Sequence, residues 1–340
     1  MNENKRKIIA IVGPTASGKT GIGVDLARKF NGEIISADSR QVYRRLNIGS
    51  GKDLKEYGEV KYHLIDIVDP GEKMTLFDYL PLARAAIEDI FSRGKVPIIV
   101  GGTGLYVQGI VEGFELKAIR SVISTPCETK VEKSCNQKIS QDLSTSLCFA
   151  RDDKLSREQL NYLPVEQLNK ILLGVDPEKY EKVDHKNAHR LIRAIELAQE
   201  GLVQTKVMPD FEVLQIAIDL PRQELFERID RRVDERFEQG MLEEVIGLIH
   251  SGVDPLWLLG LGLEYREITS FLIELGTKNN ELGEYQKKDD FKFGQMSQQL
   301  KFKIHQFARR QLTWLRRFPE VNWLSRPEEI ERFVRIFLSH

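Results

Sequence analysis

Residues Gly13, Pro14, Thr15, Ala16, Ser17, Gly18, Lys19 and Thr20 fit the phosphate-loop pattern G-x-x-x-x-G-K-[ST] at every fixed position. No other stretch of the chain limits its fold as tightly. The apolar run Ile8 to Val12 precedes the motif, and a helical pattern from Ile22 to Phe30 follows it. A strand, a Gly-rich turn and a helix in that order bring backbone N–H groups and a helix N-terminus to one point, where they favour an anion. Lys19 is expected to pair with terminal phosphates, and the Thr20 hydroxyl to bind Mg²⁺. A Gly-rich turn that binds nothing is the alternative, and the flanking strand and helix weigh against it. A bound polyphosphate does not name a reaction.

The same alternation continues through the first third of the chain. Glu33–Ser36 and Val96–Val100 predict strands. Thr75 and Asp78 are spaced as a capping box, which predicts a helix running to about Arg93 and ending at Gly94. Short apolar strands separated by helices imply a parallel sheet with helices on both faces. The fold class is therefore α/β, a P-loop NTPase-like core. Apolar periodicity fails from Lys117 to Asp153, where Ser, Thr, Lys and Gln dominate. Helical patterns return from Arg157 to Gly201. Val213–Ile218 predicts a strand, and Leu225, Ile229, Val233 and Phe237 mark an amphipathic helix over Arg222–Gln239. A second long helix is predicted from Phe291 to Phe318. The expected organisation is a core of residues 1–116 and 206–340 around an inserted, mostly helical domain of residues 117–205.

Composition excludes some classes. At 340 residues, 41% hydrophobic and 30% charged, the chain has the make-up of a globular protein. Five apolar residues before Gly13 are too few for a signal-peptide core or a membrane span, so a cytoplasmic protein without membrane attachment is expected. Cys127, Cys135 and Cys148 lack C-x-x-C spacing, and free thiols are the expectation. The net charge of −1 gives no hint of a nucleic-acid partner, but its distribution does. From Leu300 to Pro319 there is no acidic residue, while Lys301, Lys303, Arg309, Arg310, Arg316 and Arg317 alternate with Phe302, Phe307, Trp314 and Phe318. Such a stretch suits phosphates and unpaired bases, or equally a solvated basic helix with its aromatics inside. His185, Lys186, His189, Arg190 and Arg193 form a smaller basic cluster.

Two further loops carry chemistry. Asp38 follows the strand at Glu33–Ser36, at the sheet edge where ligands bind in open parallel sheets. A carboxylate there can accept a proton from an attacking nucleophile, or can simply cap a helix. Ser39, Arg40 and Gln41 add polar groups beside it. The strand before Gly101 and Gly102 ends without the acid that holds Mg²⁺ in motor and switch ATPases, and Thr103 supplies a hydroxyl instead. A group transferase using a phosphorylated donor is favoured. A small-molecule kinase and an enzyme whose diphosphate departs both stay open, as does a nucleotide-gated RNA-binding module.

Several segments recur together in one family. They are Gly13 to Thr20, Ile35 to Tyr43, His63 to Asp66 with Asp69-Pro70, Gly101 to Tyr106, Asn187 to Glu196, Glu264 to Glu267, and Ala308 to Arg316. In this combination and order the chain resembles the tRNA dimethylallyltransferase (tRNA isopentenyltransferase) family over about residues 8–116 and 184–325. The resemblance implies dimethylallyl diphosphate as donor, and N6 of the adenine just 3′ of the tRNA anticodon as acceptor. It implies that diphosphate lies on residues 13–20 with Mg²⁺ near Thr20, that Asp38 holds and deprotonates the amine, and that Thr103 assists. Arg232 matches an arginine that binds the diphosphate. Asp38, Ser39, Arg40 and Gln41 match segments on the anticodon stem-loop. So do His189, Arg190, Leu191, Ile192, Arg193, Tyr265, Arg266, Arg309, Arg310, Gln311, Trp314 and Arg316. A monomer is expected. The chain departs from the family pattern at Gly201 to Thr205 and in the middle, where Arg120 is the counterpart of a family arginine. An adenylate isopentenyltransferase is a close variant; the basic C-terminal helix favours a polynucleotide acceptor.

Overall fold

Ile8, Ile9, Ala10 and Ile11 are completely buried, and Val12 is 2% exposed. A strand covered on both faces must lie inside a parallel sheet. In the computed structural model, which describes residues 5–118, 154–275 and 290–339, that is where it lies. Strand β1 (Arg6–Val12) leads into α1 (Lys19–Lys29), β2 (Gly32–Ser36), β3 (Tyr62–His63), α2 (Leu76–Ser92), β4 (Val96–Gly101) and α3 (Gly104–Val111). Next come β5 (Phe114–Ala118), α4 (Arg157–Asn161), α5 (Val165–Val175), α6 (Pro177–Tyr180), α7 (Ala188–Gln199) and β6 (Leu202–Lys206). The chain then forms β7 (Phe211–Ile218), α8 (Arg222–Glu238), α9 (Met241–His250), α10 (Pro255–Gly260) and α11 (Leu263–Glu274). It continues through α12 (Asp290–Leu315), β8 (Asn322–Leu324) and α13 (Pro327–Ser339).

Six strands form one parallel sheet in the order β3-β2-β4-β1-β7-β8. Alternation along β1 sends Ile8, Ala10 and Val12 into one core and Ile9 and Ile11 into another. The first core packs under α2, α3, α8, α9, α11 and α12; the second under α1 and α13. Helices on both faces make this a doubly covered α/β sheet.

Contacts divide the chain into one unit of Met1–Phe114 with Lys206–His340 and another of Glu115–Thr205. The second unit pairs β5 with β6 and packs α4, α5 and α7 around Leu160, Leu168, Leu172, Leu191 and Ile195. Arg120 and the three cysteines lie outside the described residues.

The capping box forms as expected: the Asp78 N–H donates to Thr75 Oγ1 at 3.3 Å, and the Thr75 N–H to Asp78 Oδ2 at 2.8 Å. One expectation needed revision. The long C-terminal helix ends at Leu315 and not at Phe318, because Pro319 disfavours helical geometry in the residue before it. Strands β3 and β8, of two and three residues, are too short to show a period in sequence.

At the start of β2, Glu33 is a buried carboxylate ringed by cations. His63 Nε2 lies 2.7 Å from Oε2, while Lys95 donates to Oε1 at 2.9 Å and Arg93 pairs with that same oxygen. Burial alone would raise its pKa, but these hydrogen bonds outweigh burial and hold it at about 2. The stability this supplies is present above the ordinary carboxylate pKa and is lost as pH falls through about 2. Glu33→Gln is expected to cost about 2 kcal/mol at neutral pH. Urea titrations of both proteins should converge as the medium is acidified toward about pH 2.

Candidate active site at the carboxyl edge of the sheet

The phosphate loop leaves β1 and folds back on itself. A Cβ at Gly13 would lie 2.7 Å from Ser17 Oγ and would force that hydroxyl to move. Gly18 caps α1 in the left-handed region (φ 83°), with no side chain bonded to the first-turn amides. Those amides and the helix dipole face the loop. Lys19 turns back so that Nζ donates to the Pro14 carbonyl at 3.3 Å. Burial pushes its pKa down to about 8; Arg232 adds to the shift and Asp38 opposes it.

Helix α8 faces the loop with a ladder of arginines. Leu225, Ile229 and Val233 bury one stripe, while Arg228, Arg232 and Arg236, four residues apart, occupy the next. Arg232 donates to Thr15 Oγ1. Burial, and then the neighbouring Arg236, push its pKa down. Together with Lys19, Thr20, Asp38 and Arg40, these arginines wall a cavity of about 340 Å³. Asp53, Glu56 and Glu235 lie at the same cavity. Lys19 and Arg232, whose charged forms are disfavoured by burial and by neighbouring cations, are stabilised by a polyanion.

The loop after β2 is held from three sides. The Arg40 N–H donates to Asp38 Oδ1 at 2.9 Å, an Asx turn. Thr103 Oγ1 accepts the Ser39 N–H at 3.1 Å, and the Thr103 N–H donates to the Ala37 carbonyl at 3.2 Å. Gln41 donates to the Gly51 carbonyl at 3.0 Å and accepts from Ser36 Oγ at 2.8 Å. Gly101 makes the close approach possible, since a Cβ there would lie 2.1 Å from the Ala37 carbonyl oxygen.

Helix α12 closes the arrangement. Gln311 Oε1 accepts the Thr15 N–H at 3.0 Å, and its Nε2 donates to the Gly102 carbonyl at 2.8 Å. One side chain thus ties the phosphate loop to the loop that carries Thr103. The Trp314 ring covers Gly104, where a Cβ would lie 2.2 Å from it. A second cavity, about 310 Å³, is lined by Ser39, Thr103, Phe307, Arg310, Gln311 and the backbone near Gly262. It shares Thr15, Lys19, Asp38 and Arg40 with the first cavity. Arg309, Arg310, Thr313, Trp314 and Arg317 line a further open groove on α12, and Arg316 stands over Trp323 at 5.6 Å.

Three residues that the resemblance put on the RNA turn inward. Tyr265 is 0% exposed and donates to Glu244 Oε1 at 2.8 Å. Glu244 in turn accepts N–H bonds from Asn47, Ile48 and Gly49. Tyr265 therefore braces that loop and cannot meet a ligand. Leu191 and Ile192 are buried in the core of the second unit. On the same helix His189 and Arg190 are exposed, while Arg193 pairs with Glu196 at 3.2 Å. Arg266 lines the second cavity and donates from Nε to the Leu259 carbonyl at 2.8 Å. Arg228 and Arg236 were not expected at the site, while Glu264 falls in the segment Glu264 to Glu267 that carries the resemblance. The four-residue arginine spacing on α8 was the available signal for the first two.

Comparison with known proteins agrees with this geometry. A family model described as IPP transferase matches residues 41–318, and one described as isopentenyl transferase matches residues 6–61. A tRNA dimethylallyltransferase 2 of Shewanella sediminis is 40% identical over 325 residues, covering 94% of this chain and 93% of that protein. A tRNA dimethylallyltransferase 1 of Geotalea daltonii is 38% identical over 323 residues, covering 94% and 90%. The full-length tRNA isopentenylpyrophosphate transferase of Bacillus halodurans has a similar structure, with a TM-score of 0.64 and 31% identity over 97% of this chain and 96% of that one. A eukaryotic dimethylallyltransferase acting on tRNA gives a TM-score of 0.65 at 25% identity, over 91% and 70%. With a family model spanning most of its length and relatives of this similarity, the chain belongs to the IPP transferase family.

Proposed function

We propose that this chain transfers a dimethylallyl group from dimethylallyl diphosphate to N6 of the adenine 3′-adjacent to the anticodon of tRNA, releasing diphosphate. The reading rests on one observation: the two cavities meet at Thr15, Lys19, Asp38 and Arg40. The cation-walled cavity suits a diphosphate. The other, with Phe307 and Arg310, suits a base flipped out of its stack. Asp38 stands where the two ligands would meet.

The chemistry follows from these roles. N6 attacks C1 of the prenyl group. A carbon–nitrogen bond forms, the C1–O bond breaks, and its electron pair leaves on the diphosphate. The amine proton passes to Asp38. Adenine's amine is a poor nucleophile because its lone pair is delocalised into the ring, so a positioned base raises its reactivity. Lys19 and Arg232 hold the charge that develops on the leaving oxygen. Thr103 fixes the Asp38 loop through the Ser39 amide and faces the acceptor cavity.

The donor set fits Mg²⁺. Thr20, in the first turn of α1, lines the diphosphate cavity with a hard oxygen donor. Among the described residues no group of three or more His, Cys, Asp or Glu side chains is placed to hold an ion alone. Thr20 would hold it jointly with diphosphate oxygens and water, and bound Mg²⁺ would neutralise charge on the departing diphosphate.

We also propose that the chain acts as a monomer. Among the described residues no helix is long and apolar enough to cross a membrane, and we assign the reaction to the cytoplasm, where tRNA is matured. Incubation with an anticodon stem-loop and radiolabelled dimethylallyl diphosphate should yield labelled N6-dimethylallyladenosine and free diphosphate. ADP formed from ATP with a small acceptor would instead identify a kinase, and prenylation of free adenylate would identify the adenylate enzyme.

We assign Arg309, Arg310 and Arg316 of α12 to phosphate contacts on the tRNA. Replacing all three with Ala should weaken stem-loop binding and lower the slope of log affinity against log salt by about 2–3. Filter binding across a salt series measures this, and an unchanged slope would make the arginines structural.

A further inference from the structure

We infer that Glu264 is a positioning residue that holds the Arg40 guanidinium away from Asp38, so that the Asp38 carboxylate stays open to take a proton. The inference rests on the role of Asp38 proposed above. Arg40 lies two residues after Asp38, and its Nε is 3.8 Å from Asp38 Oδ1. That is ion-pair range but outside hydrogen-bond range. A shift of about 1 Å would make a charge-assisted bond to Oδ1, which already accepts the Arg40 backbone N–H, and would draw charge from the carboxylate and weaken it as a base. Burial alone disfavours the charged guanidinium, but Glu264 and then Asp38 outweigh it.

Two contacts oppose that shift. Arg40 Nη1 donates to Glu264 Oε2, and the Arg40 stem lies against the backbone of Gly262, where a Cβ would come within 2.9 Å of Arg40 Cδ. Glu264 is itself buried and held from the other side, with Arg236 Nη1 at 3.7 Å from its Oε1. Gly51, which lacks a side chain, leaves the space that Arg236 Nη2 occupies. The carboxylate thus sits between an arginine of the base loop and an arginine of the diphosphate ladder. The Asp38 charge also bears on Lys19 of the phosphate loop and on the phenols of Tyr57, Tyr79 and Tyr106. Among the described residues, the cation ion-paired with Asp38 is Arg40.

The test compares kcat and KM for the stem-loop and for dimethylallyl diphosphate, normalised to the folded fraction from thermal melts. Glu264→Gln should lower kcat by about tenfold to a hundredfold, with both KM values within about threefold of the parent. Adding Arg40→Met to Glu264→Gln should restore kcat by at least about fivefold over Glu264→Gln alone. Adding Arg236→Gln instead should not. Equal rescue by both second changes would make Glu264 a mere charge balance and overturn the inference, as would rescue by neither or an unchanged kcat in Glu264→Gln. If Glu264→Gln does not fold, Glu264→Asp, whose carboxylate is one methylene short of Arg40, carries the same expectations. Asp38→Asn measured alongside separates the two levels. An active Asp38→Asn enzyme defeats the base assignment itself. An inactive one beside a fully active Glu264→Gln defeats only the positioning role.

Discussion

Asp38→Asn is expected to lower prenyl transfer by at least about a hundredfold, the usual range for loss of a general base. The substitution keeps the shape of the side chain and an oxygen that can accept the Arg40 N–H, so the turn should survive. It removes the negative charge and the capacity to accept the amine proton. Stem-loop binding should change far less, because α12 and its arginines are untouched. Single-turnover transfer and filter binding on the same preparations measure both quantities. Near-normal turnover would refute the role of Asp38.

Lys19→Met is expected to have an effect of similar size, by a different route. The Lys19 ammonium sits in a buried space with Arg40, Arg232 and Arg236, and burial holds its pKa at about 8. The charged form is the one that stabilises a departing diphosphate. Below about pH 8 it dominates, and above that value the free enzyme loses it. Affinity for dimethylallyl diphosphate should therefore fall as pH rises through about 8, and calorimetric titration should show the decline. In Lys19→Met the decline should vanish, and kcat should drop by about a hundredfold or more. A pH dependence that persists in Lys19→Met would place the titration elsewhere.

The local signals of this fold were strong where one residue type answers one geometric need. Gly18 at φ 83° and the capping box at Thr75 are legible because few residues can do those jobs. Strand β1 is legible because burial on both faces demands an unbroken apolar run. The losses also have physical causes. Strands β3 and β8 are shorter than one period of alternation can reveal. Along α8 the apolar stripe at Leu225, Ile229 and Val233 drew the reading, and the arginines one position further round were left to a single match at Arg232. A segment shared with a family says that a helix is near a ligand, but not which face it turns there. Tyr265, Leu191 and Ile192 fall in such segments and face inward, while Arg266, His189 and Arg190 do not. Gln311 was expected among the RNA contacts. Both ends of its amide are also engaged by backbone, and that pairing is invisible without coordinates.

The Gln311 bond to Thr15 spans 296 positions of sequence. A contact of such separation must close a long loop and cannot form before residue 311 has been made. A ribosome that has made the phosphate loop, the Asp38 loop and most of the sheet has therefore not yet made an enzyme. The nascent chain stays without a finished catalytic pocket until α12 emerges and docks, so diphosphate donor and tRNA cannot meet at that pocket before then.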